Sequence, residues 1–267
     1  MEGLGIIRLG EAHRSAVRAR LLRAPLLHLH LLRLLEAHPL ELLGWYGLAE
    51  GADVEALVLV APALFAVPGG APIPAAERLG AHLRALYRRC RISGPRDACD
   101  ALWREWAPGV APAHAVRQQM MVLREPPAEF PCMGLRRARR SEWRAVGENL
   151  SRMWREEHGQ SLDVAQVWVE EKLRLGHTWV LEREGQLVFQ ADVSLRTRWG
   201  CQVEGVYTSP EHRSRGYATA GVSALARRLL RKSSAVTLVV NEDNAAALRL
   251  YARCGFTPLA AWRNITP

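Results

Sequence analysis

The feature that most constrains this chain is a short loop between a predicted strand and a predicted helix. The strand covers 203–208, the loop contains Arg213-x-x-Gly216-x-Ala218, and an apolar pattern at helical spacing continues from residue 220. Backbone N–H groups at a helix N-terminus attract anions, and residues with almost no side chain let phosphate oxygens approach closely. The sequence therefore predicts a diphosphate-binding loop at this corner.

A second segment, downstream of the loop, supports the same kind of protein. A β-rich run at 236–240 is followed by Asn241–Phe256, which contains N-x-x-A-x-x-x-Y-x-x-x-G-F. The two segments together resemble the GNAT acyl-CoA N-acyltransferases, in which a Q/R-x-x-G-x-G/A pyrophosphate loop precedes a segment of this form. A Rossmann loop fits less well, because no strand is followed by G-x-G-x-x-G. No acidic residue follows the loop at the spacing that binds the ribose hydroxyl in that fold.

The resemblance implies an α/β (α+β) fold of tandem GNAT-like domains, each a mixed, mostly antiparallel central sheet flanked by helices. Three prolines within 126–131 indicate a linker. We therefore expect a degenerate GNAT-like N-terminal domain at 1–125, a Pro-rich linker at 126–132, and a GNAT N-acetyltransferase domain at 133–267.

The hydrophobic pattern predicts the order β-α-α-β-β-β-α-β-α-β for the second half, beginning with a strand at Met133–Arg137. For the first half, the same pattern predicts roughly the same order of elements, and Val54–Val67 is predicted to be one strand. Prolines in Val67–Pro74 stand where a pyrophosphate loop would be, and they remove the N–H donors that such a loop needs. We expect this half to shape the acceptor site or to mediate assembly, for example as a homodimer.

The resemblance also assigns residues to acetyl-CoA, the implied co-substrate. The backbone of the 203–208 strand would pair with the pantetheine arm and hold the thioester carbonyl, and the loop would cradle the diphosphate. Asn244 would cap the next helix and also contact pantetheine. The residues assigned in this way are Val206, Tyr207, Thr208, Arg213, Ser214, Arg215, Gly216, Tyr217, Ala218, Thr219 and Asn244.

Two side chains are candidates for proton transfer. The acceptor amine has to react in its deprotonated form, so the site needs a base or a chain of water molecules. Strand alternation places Gln202, Glu204, Val206 and Thr208 on one face. The resemblance implies an acidic base on this strand, which makes Glu204 the candidate; a structural or substrate-binding carboxylate is the alternative. Tyr251 matches the family's general acid, which protonates the leaving CoA thiolate; a packed helix tyrosine is the alternative.

These assignments predict an N-acetyltransferase, an acyltransferase for groups other than amino-acyl groups. It would move acetyl from acetyl-CoA directly to a primary amine in a ternary complex. A protein lysine, an antibiotic, a polyamine and an amino acid all remain open as the acceptor. The alternative is a non-catalytic acyl-CoA-binding regulatory or scaffold protein, which the degenerate N-terminal half leaves open.

Composition argues against several other classes. The 267-residue chain has a net charge of +9, but its basic runs lack the interleaved aromatic residues of a nucleic-acid groove. No apolar run could span a bilayer, so we expect neither a specific nucleic-acid partner nor a membrane partner. The five cysteines are scattered, without C-x-x-C, and no H-E-x-x-H or similar spacing occurs. We therefore expect no metal, reduced thiols and a cytoplasmic location; the arginine-rich composition is typical of a GC-rich bacterial genome.

Overall fold

The computed structural model describes residues 4–61, 65–132, 134–159 and 164–267. Two compact units make up the chain. Unit 1 runs to Met120 and also includes Val239–Asp243 and Leu259–Pro267, and unit 2 comprises Met121–Leu238 and Asn244–Pro258. The domain boundaries expected from the sequence stay a prediction, and the one at residue 133 lies outside the described residues. Across the described ranges, no helix is long and apolar enough to cross a membrane.

The first half of the chain has the order β-α-α-β-β-β-α-β-α-β. The prediction of one strand over Val54–Val67 is wrong, because one strand ends at Ala61 and the next, antiparallel to it, begins at Phe65. Residues 62–64 lie outside the described part. The elements are β1 (Gly5–Arg8), α1 (Arg14–Leu21), α2 (Leu29–Ala37), β2 (Gly44–Glu50), β3 (Asp53–Ala61), β4 (Phe65–Gly69), α3 (Ile73–Leu86), β5 (Arg91–Pro95), α4 (Arg96–Trp106) and β6 (His114–Leu123).

The second half repeats the same order of elements. The strand expected at Met133–Arg137 is shorter, since β7 spans Arg136–Arg137 and Met133 lies outside the described residues. The elements are β7 (Arg136–Arg137), α5 (Trp143–His158), α6 (Gln166–Arg174), β8 (Thr178–Arg183), β9 (Gln186–Arg196), β10 (Cys201–Thr208), α7 (Tyr217–Leu230), β11 (Val236–Asn241), α8 (Ala245–Arg253) and β12 (Thr257–Thr266).

Each unit contains a mixed sheet of the same pattern. In unit 1, β1 to β4 are antiparallel neighbours, β4 pairs in parallel with β5, and β5 pairs antiparallel with Trp262–Ile265 of β12. In unit 2, β7 to β10 are antiparallel neighbours, and β10 pairs in parallel with β11. Among the described residues, both parallel pairings stop after two residue pairs, Phe65↔Arg91 with Ala66↔Ile92 and Cys201↔Val236 with Gln202↔Thr237. The two parallel strands of each unit therefore separate along their length.

The core of unit 2 explains why its central strands read as apolar runs. Helices cover the sheet on both faces, so residues on either side of β8 and β9 are buried. Polar residues interrupt this run at Thr178, Gln190 and Asp192, each about 1% exposed. Gln190 and Asp192 are two residues apart on β9, and Thr178 pairs with Asp192 across the strands. These buried polar side chains therefore share one face of the sheet.

Candidate active site

The loop after β10 has the backbone shape of an anion site. Ser214 and Gly216 have positive φ angles of 61° and 81°, in the left-handed region. The first bond of α7 runs from Ala220 N to Gly216 O at 3.0 Å, so the N–H groups of residues 217–219 have no acceptor inside the helix. No described atom would lie within 4 Å of a Cβ placed on Gly216. The corner is therefore open and lined with N–H donors, as a diphosphate requires.

The other residues predicted in this loop border the same corner. Arg215 exposes its side chain, and Ala218 and Thr219 are half-buried in the first turn of α7. The Tyr217 ring lies edge-on to His212, with 6.3 Å between the ring centroids. Over the ranges that the structure describes, no group of three or more His, Cys, Asp or Glu could hold a metal ion.

Arg213 and Tyr207 contact a residue of α5 instead of pointing into the open corner. Arg213 donates from Nε to Thr208 O at 3.0 Å and from Nη2 to Glu156 Oε2 at 2.6 Å. The Tyr207 hydroxyl donates to the other oxygen, Glu156 Oε1, at 3.0 Å. Burial, together with the Glu156 carboxylate, raises the pKa of Tyr207 to about 12. Glu156 thus ties the end of β10 to the start of the loop, a role that sequence reasoning missed.

A bulge interrupts β10 just before this end. Glu204 pairs with Asp192 and Tyr207 pairs with Gln190, so two residues of β10 oppose a single residue of β9. One of the two is Gly205, whose φ of 58° is the left-handed conformation found at the first position of such bulges. A bulge leaves backbone groups outside the ladder, and here it does so in the segment assigned to the thioester carbonyl.

The bulge changes which side chains of β10 share a face. Thr208 pairs with Phe189, and the Phe189 ring packs against Gly221 of α7. Tyr207 instead faces α5, and Glu204 lies on the same side as Tyr207 because their partners on β9 are two residues apart. The prediction that Gln202, Glu204, Val206 and Thr208 share one face is wrong at Thr208, because the extra residue resets the alternation.

Glu204 has the environment of a proton acceptor. The residue is exposed, yet protein atoms crowd its carboxylate, and this desolvation raises its pKa above the ordinary range. The Lys172 ammonium lowers the pKa, and the Asp192 carboxylate raises it. The Ser194 hydroxyl also lowers it slightly, although Ser194 Oγ has no hydrogen-bond partner within the described structure. A carboxylate with a raised pKa is a stronger base, as removal of a proton from an amine requires.

Tyr251 and Asn244 lie at opposite ends of α8. Tyr251 is buried, with its ring edge-on to Phe256 at 5.9 Å between centroids. Burial raises the pKa of its phenol, and the nearby Glu157 carboxylate adds to the effect. The phenol is therefore protonated at neutral pH, as a general acid must be. Asn244 Oδ1 accepts from Ala247 N at 3.0 Å, so this side chain caps the helix.

The corresponding corner of unit 1, between β4 and α3, is filled by its own side chains. Gly70 N donates to His28 Nε2 at 3.0 Å, and Gly70 O accepts from Arg20 Nε at 3.1 Å. His28 Nδ1 lies 3.0 Å from Leu21 O, so the neutral ring carries its proton on Nδ1. A Cβ on Gly69 would lie 2.6 Å from a leucine methyl group. The N–H group that a phosphate would need is already bound here.

Comparison with known proteins agrees with this geometry. Residues 143–256 match the acetyltransferase (GNAT) family. No curated protein matches the sequence.

Several solved structures share the fold over nearly the whole chain. A GCN5-related N-acetyltransferase from Sphaerobacter thermophilus is 16% identical, with a TM-score of 0.66, and the match covers 100% of this chain and 96% of that chain. A Drosophila protein is 14% identical, with a TM-score of 0.69 and 99% of each chain covered. A tandem GNAT protein from the clavulanic acid biosynthesis pathway is 18% identical, with a TM-score of 0.60 and coverage of 99% and 98%. The predicted tandem GNAT-like fold is therefore confirmed, and residues 143–256 form an acetyltransferase domain of the GNAT family.

Proposed function

We propose that this protein is an acyl-CoA-dependent N-acyltransferase that transfers acetyl from acetyl-CoA to a primary amine, directly, in a ternary complex. The observation that carries the proposal is the open corner at the start of α7, where N–H groups of the loop and first turn have no helical acceptor. Residues 214–219 would hold the diphosphate there. The backbone of Val206 and Thr208 would pair with the pantetheine arm, beyond the point where β10 leaves β11.

The proposed chemistry uses proton transfers by two side chains of unit 2. The bound co-substrate supplies a thioester carbonyl that the amine nitrogen attacks, and the carbon–sulfur bond then breaks. Glu204, directly or through water, accepts the proton that the amine loses, and Tyr251 gives its phenolic proton to the departing sulfur. An N–H group freed by the bulge at Gly205 would stabilise the negative charge that develops on the carbonyl oxygen. Burial keeps the Tyr251 phenol protonated, and it makes the Glu204 carboxylate a stronger base by raising its pKa.

The test is Tyr251→Phe, assayed with acetyl-CoA and a panel of amines: a lysine peptide, an aminoglycoside, a polyamine and free amino acids. Loss of the acid should lower kcat by on the order of 10²-fold or more. The affinity for acetyl-CoA, measured by calorimetry, should hold, because the ring packing against Phe256 is kept. Tyr87→Phe in unit 1 is the matched control, since it removes a hydroxyl that bonds Tyr46.

Two results would contradict parts of this proposal. Unchanged turnover in Tyr251→Phe would remove this residue from the mechanism. Tight binding of acetyl-CoA without transfer to any amine would favour a non-catalytic acyl-CoA-binding regulator or scaffold. Because the corner of unit 1 is filled, the calorimetric stoichiometry should be one acetyl-CoA per chain. All five cysteines are free thiols, which supports our placing the enzyme in the reducing cytoplasm of a bacterium.

A further inference from the structure

A buried ion pair lies next to the bulge of β10. Asp192 is 1% exposed, and both of its oxygens are bound: Thr178 Oγ1 donates to Oδ1 at 2.6 Å, and the Lys172 ammonium donates to Oδ2. The Lys172 side chain is itself only 14% exposed. Removing two charges from water carries a large desolvation penalty, so a buried pair is weak evidence for stability. The position of this pair indicates another role.

The carboxylate of Asp192 lies beside Gly205 of the bulge. Asp192 pairs across the strands with Glu204, and a Cβ on Gly205 would lie 3.2 Å from Asp192 Oδ2. The carboxylate thus lies against the place where β10 departs from regular pairing. Gly205 is suited to this place because its φ of 58° is one that side chains rarely adopt.

The cation of the pair is held from a second side. The Lys172 ammonium lies 4.4 Å from the centroid of the Trp168 ring, one turn earlier on α6. A ring face at this distance attracts an ammonium group, so Trp168 and Asp192 together fix its position. Thr178 fixes the remaining carboxylate oxygen, and the cluster has little freedom to move.

We propose that the Lys172–Asp192 ion pair is a positioning element of the acyltransfer site. It holds the bulge at Gly205 and thereby fixes the Glu204 carboxylate relative to the backbone N–H groups of the same segment. The inference rests on the proposed function, because it takes Glu204 as the base.

The charges around Glu204 give this role a distinctive signature. Lys172 faces Glu204 from α6 and Asp192 faces it from β9, and the two act on the Glu204 pKa in opposite directions. On the α5 side, Glu156 accepts hydrogen bonds from Tyr207 and Arg213, and the charge of Arg152 also acts on the Tyr207 hydroxyl. Removing Asp192 alone leaves an unopposed cation beside Glu204, whereas removing the whole pair takes away both influences. A pair too far away to act on Glu204 would produce neither shift, and the kinetics below test whether the pair also positions the reacting groups.

The experiment compares Asp192→Asn, which keeps the acceptor for Thr178, with the double variant Lys172→Met/Asp192→Asn. The carboxyl carbon of Glu204 is titrated by carbon-13 NMR in the full chain without acetyl-CoA, and Glu204→Gln assigns the signal. We expect the midpoint pH of the Glu204 titration to be lower in Asp192→Asn than in the wild type. In the double variant this midpoint should be higher than in Asp192→Asn. Arg174→Met is the control: it removes a cation from the exposed Glu171–Arg174 pair of the same helix and should leave the midpoint unchanged.

Kinetics then test whether the pair positions the reacting groups. In Asp192→Asn, kcat should fall by on the order of 10²-fold, as for an ångström-scale misplacement. The affinity for acetyl-CoA should fall far less than kcat, because residues 214–219, which would hold the diphosphate, are untouched. The low-pH limb of kcat/KM should move in the same direction as the NMR midpoint.

Four outcomes are informative, and they separate this inference from the proposed function. A Glu204 midpoint that does not move in either variant overturns the inference, and so does a moved midpoint with unchanged kcat. If no protein, wild type included, acetylates an amine, the proposed function fails while the titration still reports on the ion pair. If Asp192→Asn does not fold, the charge-free double variant is compared with wild type, and a lowered kcat is the supporting result.

Discussion

Gly221, in the second turn of α7, sets how closely this helix approaches the sheet. A Cβ at this position would lie 2.6–2.7 Å from three atoms of the Phe189 ring. Carbon atoms in contact prefer about 3.5 Å or more, so Gly221→Ala forces the helix or the ring to move by roughly 1 Å. Alanine gains about 1 kcal/mol over glycine in a helix, and overpacking of this kind costs about 1–3 kcal/mol. The cost of overpacking should be near the upper end of its range, because the Phe189 ring is fully buried. After subtraction of the gain in helix propensity, we expect the free energy of unfolding to fall by about 1–2 kcal/mol.

The same displacement should reach the proposed acyl-CoA site. The first turn of α7 carries the N–H groups assigned to the diphosphate, so a shift of the helix weakens about one charge-assisted hydrogen bond, roughly 1.5–3 kcal/mol. Binding of acetyl-CoA in calorimetry should therefore weaken by about 10- to 100-fold. Adding Phe189→Leu to Gly221→Ala makes room for the methyl group, and a double-mutant cycle should show coupling of about 0.5–3 kcal/mol.

A helix glycine with space around it provides the control. In α5, a Cβ on Gly147 would meet its nearest atom, Val169 Cγ2, at 3.8 Å, an ordinary contact. Gly147→Ala should therefore raise stability by up to about 1 kcal/mol through helix propensity alone. Urea unfolding of both variants measures the contrast. A Gly221→Ala protein as stable as Gly147→Ala, with wild-type affinity for acetyl-CoA, would refute the close packing of α7 on β9.

Two further predictions concern the two corners. Gly216→Val should abolish acetyl-CoA binding in calorimetry, because φ is 81° there and the side chain would enter the open corner; retained affinity would contradict the loop assignment. His28 has a pKa lowered by burial, so the unfolded state binds more protons between that pKa and about 6.5. Stability from this group is complete above about pH 6.5 and is lost as pH falls toward the folded-state pKa. His28→Leu should flatten this dependence in urea unfolding from pH 5 to 8 and cost about 1–3 kcal/mol, because Gly70 N loses its acceptor; an unchanged slope would exclude His28 as its source.

The local signals of the site could be read from sequence because their geometry is local. A diphosphate loop is built from consecutive residues, and Arg213–Ala218 carries its glycine at the position where the chain turns left-handed. The element order of the second half was also predictable, since each element has its own apolar period and flanking breakers. The N-cap at Asn244 followed from the same kind of nearest-neighbour chemistry.

What sequence reasoning missed depends on contacts between distant residues. Glu156 meets Arg213 across 57 positions, and Lys172 meets Asp192 across 20, so no spacing rule could find either pair. The alternation rule failed on β10 because it assumes an unbroken ladder, and the bulge at Gly205 adds one residue. In Val54–Val67, a long run of apolar residues hid the boundary between β3 and β4, because both strands are buried.

The strand pairing of β5 has a consequence for how this protein is made. The edge of β5 in unit 1 is covered by Trp262–Ile265, which belong to the last strand of the second repeat. A ribosome exposes β1 to β5 long before it releases this covering strand, and in the interval the uncovered edge can pair with other chains. The first half therefore cannot reach its final form before residues 262–265 have been made. The two halves share one architecture, but the sheet of the first is complete only when a strand from the second half has paired with β5.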